Sequence, residues 1–152
     1  MSSAIRTGAA EGVKPAPKWF LPVGVVALIW NLLGCAAYLA DVTLSAEDVA
    51  KMSAAQQALY ASRPAWAISA TAVAVWAGAL GCVALCLRKR WATWALVASL
   101  AGIIVQDLSL FVLSDAGSQA GITVFVLQGL VFAVGVGLVV LARKASAQGW
   151  IA

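Results

Sequence analysis

The chain has 152 residues, 63% of them hydrophobic and 11% charged, with a formal net charge of +4 and a mean hydropathy of +0.95. An ordinary globular chain carries about 25% charged residues, so this one lacks the polar surface of a water-soluble fold and its composition points to a membrane. The sequence contains no histidine, which removes the commonest metal ligand and general base. With no paired-carboxylate or metal-ligand pattern beside that, neither catalytic residues, a metal nor another cofactor is expected, and the chain does not read as an enzyme.

A hydrocarbon core about 30 Å thick takes about 20 helical residues to cross. Four segments meet that length, at about 19–40, 64–87, 91–114 and 121–142. The first, Trp19 to Ala40, carries no charge, and Pro22 falls in its first turn, where proline is tolerated. It is too long for a signal-peptide core and is read as an uncleaved helix. Leu32-Leu33-Gly34-Cys35 is only a weak lipobox, with Leu33 where a smaller or β-branched residue is usual. The second span, Pro64 to Leu87, places its proline at the first helical position, where the missing N–H is not needed. Cys82 and Cys86 lie one turn apart on it, unsuited to a disulfide, and with Cys35 read as buried apolar thiols. The third span, Trp91 to about Ser114, contains one carboxylate, Asp107, and the fourth, about Gly121 to Ala142, is uncharged.

Short loops rich in Lys and Arg stay in the cytoplasm. Arg6, Lys14, Lys18, Arg88, Lys89, Arg90, Arg143 and Lys144 fall on one side, opposed only by Glu11, while Asp41, Glu47, Asp48 and Asp115 face Lys51 and Arg63 on the other. Both termini are therefore expected in the cytoplasm. Trp19, Trp91 and Trp94 at one level and Trp66 and Tyr60 at the other suit interfacial anchors. The expected organisation is a disordered N-terminal tail over 1–17, a transmembrane domain over 18–145 and a short tail over 146–152, whose Trp150-Ile151 is expected near the membrane surface.

Between spans one and two lies a hydrophilic connection, Asp41 to Arg63. Ser45 three residues before Asp48, and Ser53 three before Gln56, are helix-start signals of the capping-box type, so one broken or two short helices are expected here, as an interfacial connector or a lid, with Val49, Met52, Leu59 and Tyr60 against the membrane or the bundle. The fold class expected is all-α, an integral membrane four-helix bundle with a short helical extracytoplasmic loop.

In lipid, helices approach where small residues allow it. Ala70, Ala74, Gly78 and Cys82 on span two, and Gly129, Ala133 and Gly137 on span four, form such stripes at spacing four. They suit packing within the bundle or between two copies, so a homodimer or a larger membrane complex is admitted alongside the lipid bilayer as partner. No nucleic acid partner is expected.

Polar residues inside the spans are the functional pointers. Asn31, Ser69, Thr71, Gln106, Asp107 and Gln128 fall in one slab roughly 8–14 Å from the non-basic interface at 1.5 Å per residue. A central aspartate costs about 2.5–3.5 kcal/mol to insert, against roughly 3–6 kcal/mol in favour from the eleven Leu, Ile, Val and Phe residues of its span. The span therefore inserts unaided, and Asp107 should face the bundle, with Asn31, Gln128 or a water as partner. The slab reads either as a hydrogen-bonded cluster that fixes helix register or as a ligand or proton site. The candidate ligand-binding residues are Asn31, Asp107, Gln106, Gln128, Trp30 and Tyr38, with Trp76 and Phe111 as further aromatic walls. Asn31, Cys35 and Tyr38 share one helix face, as do Asp107 and Phe111.

Whole strings carry a resemblance. Lys18-Trp19-Phe20, Trp30-Asn31-Leu32-Leu33-Gly34, Ala58-Leu59-Tyr60 leading to Arg63-Pro64-Ala65-Trp66-Ala67, Leu80-Gly81-Cys82 and Leu87-Arg88-Lys89-Arg90-Trp91-Ala92 resemble a family of small bacterial four-helix inner-membrane proteins often labelled sugar transporters. It covers about residues 18–150, and Asp107 lies outside its pattern. The resemblance implies a multi-pass protein of the bacterial inner membrane that carries a small solute such as a sugar. Alternating access usually takes two repeats moving about a midplane site, which four helices supply only by dimerising. The competing expectation is a non-transporting accessory subunit, contacting lipid or quinone in a larger membrane complex.

Overall fold

The structure, a computed structural model, describes residues 12–113 and 121–152. Among the described residues six helices follow in order: α1 Phe20–Val42, α2 Ala46–Ala50, α3 Ala54–Ala61, α4 Ala65–Cys86, α5 Ala92–Phe111 and α6 Gly121–Ala147. There is no strand among the described residues. α1, α4, α5 and α6 are each long and apolar enough to span a membrane, and a helix meets the rule that backbone polar groups in hydrocarbon be satisfied within the segment. Large apolar side chains such as Leu80, Val126 and Ile122 are exposed on the outer faces, the surface that lipid covers in a multi-pass protein. Arg6, Glu11, Ser114 and Asp115 lie outside the described residues.

Local chemistry sets the helix ends. Pro22 is in the first turn of α1 and leaves it unbroken. Pro64 stands one position earlier than its expected place: it is the N-cap of α4, extended at ψ 149°, and its carbonyl accepts from the Ala67 and Ile68 N–H groups at 3.0 and 3.3 Å. Both capping boxes form, Ser45 with Asp48 opening α2 and Ser53 with Gln56 opening α3. Gln57 Nε2 then donates to the carbonyls of Ala50 at 3.2 Å and Met52 at 3.0 Å, tying the two short helices together. Arg88 takes the left-handed conformation, φ 57°, so that the α4–α5 connection can turn within Leu87–Trp91.

The long helices pack in the order α1–α4–α5–α6, with α4–α5 the most extensive pair, whereas α1 and α6 form no packed pair over the described residues. On α4 the stripe of Ala74, Gly78 and Cys82 is buried. A Cβ on Gly102 of α5 would stand 2.7 Å from the Ala70 carbonyl oxygen and 2.8 Å from the Ala74 nitrogen, so the two backbones are in contact there. The stripe on α6 takes no part in packing within the bundle: Gly129, Ala133 and Gly137 are exposed, and nothing lies within 4 Å of a Cβ at either glycine.

The core is concentrated at the end that carries Arg88–Arg90. Cys82, Ala84, Leu85, Ala92, Leu96, Ala142 and Ala145 are buried there together with Phe20 and Ile151. α6 continues past the expected end at Ala142 to Ala147, and the residues after it fold back rather than trailing at the surface. Ile151 is 2% exposed, Trp150 meets Trp19 and Phe20 edge-on at 5.9 and 5.8 Å, and Ala152 N–H donates to the Arg88 carbonyl at 2.9 Å while Arg90 N–H donates to Ala152. Lys14 N–H donates to the Gly149 carbonyl at 2.8 Å, which draws the segment before α1 into the same cap. Burying one such apolar or aromatic side chain is worth about 1.5–3 kcal/mol, which favours this folded-back arrangement of Trp150 and Ile151.

Candidate functional site

With one end sealed and the α1–α6 seam unpacked, the other half of the bundle encloses a cavity of about 700 Å³, within the range of small-molecule sites. Its floor is Leu96, Ser99 and Leu138, its walls come from α1, α4, α5 and α6, and its mouth is formed by Asp41, Leu59, Ser62, Arg63 and Pro64. Leu59 and Arg63 reach the mouth because the two capped short helices return the chain across the end of the bundle.

Trp30, Asn31, Tyr38, Gln106 and Gln128 line this cavity, and Asp107 does not. The polar layer is therefore not one slab but two clusters. In the first, Asn31 Nδ2 donates to the Ala27 carbonyl at 2.9 Å and to Cys82 Sγ at 3.4 Å, while Ser99 Oγ of α5 donates to the Ala74 carbonyl of α4 at 2.6 Å. Gly78 makes room for both: a Cβ there would overlap the Asn31 carboxamide and lie 2.9 Å from Ser99 Oγ. In the second, Gln128 Nε2 of α6 donates to Asp107 Oδ1 of α5 at 2.9 Å, next to the stacked rings of Phe111 and Phe125, 4.6 Å apart. Asp107 thus joins α5 to α6 and has Gln128 and the neighbouring Gln106, not Asn31, as side-chain partners. Thr71 Oγ1 and Ser69 Oγ donate to carbonyls four residues back on their own helix, at 3.0 Å each. Trp76 is exposed on the outer surface and Phe111 belongs to the Asp107 cluster, so neither walls the cavity. Cys35 Sγ contacts the Val75 carbonyl at 3.4 Å, and all three cysteines are free.

The ion pair at the mouth was not singled out by the sequence reading. Arg63 holds Asp41 through two nitrogens, Nη1 to Oδ2 at 2.7 Å and Nη2 to Oδ1 at 3.3 Å, and its guanidinium carbon lies 4.6 Å from the Tyr60 ring centre. The pair joins the end of α1 to the start of α4. Its signal was available: two opposite charges each stand at the membrane edge of adjacent spans, where low dielectric strengthens their attraction. Ser99 was also missed, although Ala92, Leu96, Ser99 and Ile103 recur at helical spacing and form the buried face of α5.

Among the described residues no group of three or more Cys, Asp or Glu is placed to hold a metal ion. Comparisons with protein-family models, with curated proteins and with solved structures found no match. The class the fold defines is a multi-pass α-helical membrane protein, and the arrangement of its site carries any closer reading.

Proposed function

We propose that this is a non-catalytic, transporter-like membrane protein that holds a small ligand in the cavity between its four spans. The carrying observation is the cavity of about 700 Å³, closed by the core at one end and bordered at the other, among the described residues, by Asp41, Ser62 and Arg63. The proposed setting is a bacterial inner membrane, with the basic end and both termini in the cytoplasm and the mouth outside, in line with the distribution of Lys and Arg. Carriage of a small solute such as a sugar is supported by the resemblance of residues 18–150 and by Asn31, Gln106 and Gln128 on the cavity wall.

A second reading, a non-transporting subunit that contacts lipid or quinone in a larger complex, is favoured by a specific observation. The lining is mostly apolar and there is one bundle, not two repeats around a common site. Purification of the native protein in lipid nanodiscs, followed by native mass spectrometry, separates the two readings when combined with uptake in proteoliposomes. Sugar uptake that falls with Asn31→Ala supports carriage. A stoichiometric membrane partner with no uptake of any sugar tried supports the accessory role.

A further inference from the structure

We infer that the occupant of the cavity is the hydrocarbon chain of a membrane lipid, admitted sideways from the bilayer through the seam between α1 and α6. This rests on the reading of the cavity as a ligand site and names the class of ligand. The seam is not merely unpacked: it carries a groove of about 450 Å³ whose lining includes Val23 and Val26 of α1 and Gly137 and Leu141 of α6. Trp30, Val134 and Leu138 line both the groove and the cavity, so the two lie side by side and share these side chains as a wall. The groove reaches from the α1–α6 surface to this shared wall, next to the cavity floor, so movement of the shared side chains is all that separates the two.

The interior chemistry suits a chain better than a polyol. Several donors that a sugar would use are already engaged within the protein: the Asn31 amide with Ala27 and Cys82, the Thr71 and Ser99 hydroxyls with Ala67 and Ala74, and the Gln128 amide with Asp107. Each sugar hydroxyl left without a partner against the mostly apolar lining would cost about 1–3 kcal/mol. Among the described lining residues charge is confined to the mouth, where Asp41 and Arg63 neutralise each other, which suits a headgroup carrying both signs or none. The length also fits. From Asp41 to Asn31 along α1 is about 15 Å, a depth that takes a large part of one acyl chain.

A second copy of the protein does not fill the same space. A helix about 10 Å across and 15 Å long occupies roughly 1,200 Å³, well above the cavity volume, and the exposed α6 stripe lies outside it. Dimerisation therefore competes for the seam only at the surface, and its outcome differs from that of lipid entry.

The test uses the whole protein in nanodiscs of phosphatidylcholine containing a trace of the same lipid with a mid-chain diazirine. After irradiation, tandem mass spectrometry should find adducts on the floor residues Leu96 and Ser99, which are 2% and 5% exposed. Gly137→Trp, placed where an added Cβ meets nothing, should abolish the floor adducts while leaving those on lipid-facing Val97 unchanged. Gly137→Leu provides a smaller plug should the tryptophan variant fold poorly. Adducts confined to lipid-facing residues, or floor adducts indifferent to both plugs, overturn the inference, as does a cross-linked dimer with an unlabelled floor. Binding of radiolabelled glucose is measured in parallel. An unlabelled floor with glucose binding lost in Asn31→Ala defeats the lipid inference alone, whereas absence of both defeats the cavity reading as well.

Discussion

Gly102 decides how closely α4 and α5 approach, because the atoms its missing side chain leaves room for are backbone atoms of Ala70 and Ala74, which cannot rotate away. Gly102→Ala is expected to destabilise the protein by about 1–3 kcal/mol through overpacking, read as a lower thermal midpoint in detergent. Gly129→Ala, whose Cβ enters open space, should leave that midpoint unchanged. A different residue-scale test concerns Asp107. Its bond to Gln128 links α5 and α6, and such interhelical bonds are worth about 0.6 kcal/mol on average and up to about 1.7 kcal/mol. A double-mutant cycle of Asp107→Leu and Gln128→Leu should return a coupling in that range, and Asp107→Asn should retain most of the stability because an amide can still accept from Gln128. No coupling would mean that the pair is incidental. The sequence marked Asp107 as inward-facing because hydrocarbon offers it no partner, but hydropathy gives no azimuth. It therefore did not separate the α5–α6 interface from the cavity, and Asp107 was grouped with Asn31 when the fold sets them in different clusters.

At the level of elements, what was legible followed from local rules and what was not followed from contacts distant in sequence. The four spans declare themselves by length and hydropathy, and α2 and α3 by their capping boxes, since a cap needs only residues three apart. The exposed α6 stripe and the Asp41–Arg63 pair depend on which helices become neighbours, which no local pattern records. The α2 cap gives a pH dependence with a definite sign. Hydrogen bonds from the Ser45 hydroxyl and then the Ser45 backbone N–H hold the Asp48 carboxyl below the ordinary carboxylate range. A group whose value is depressed on folding contributes above its unfolded value and loses that contribution as the pH falls through the folded one. The Ser45 and Asp48 amide resonances should therefore stay constant from neutral pH down to the ordinary carboxylate range and move together below it. Ser45→Ala should move this transition up toward the ordinary carboxylate range and cost the short helix about 1 kcal/mol, visible as faster amide exchange over Ala46–Ala50 than in the parent protein.

For the whole molecule, the governing feature is asymmetry: a tight core at the basic end and a hollow half at the other. The seal at the basic end draws on four separate pieces of chain, the segment before α1, the α4–α5 turn, the end of α6 and the residues after it, meeting around Phe20, Trp150 and Ile151. The sequence supplied Trp150-Ile151 as two apolar residues in a short polar segment, a pattern equally suited to touching lipid, and only the turn after α6, with Gly149 at φ 72°, directs them inward. Ile151→Ala removes most of a buried side chain and is expected to cost about 2–5 kcal/mol, a large effect for a residue so far from the cavity. It should also break the asymmetry. In membranes of defined orientation, a Thr71→Cys variant, with its thiol on the cavity wall, should react with a membrane-impermeant thiol reagent supplied at the mouth side and not with reagent supplied at the basic side. Adding Ile151→Ala should open reaction from the basic side without slowing it from the mouth. Equal reaction from both sides in the parent background would show that the basic-end core is not the seal, and with it would fall the account of the molecule as a bundle closed at one end.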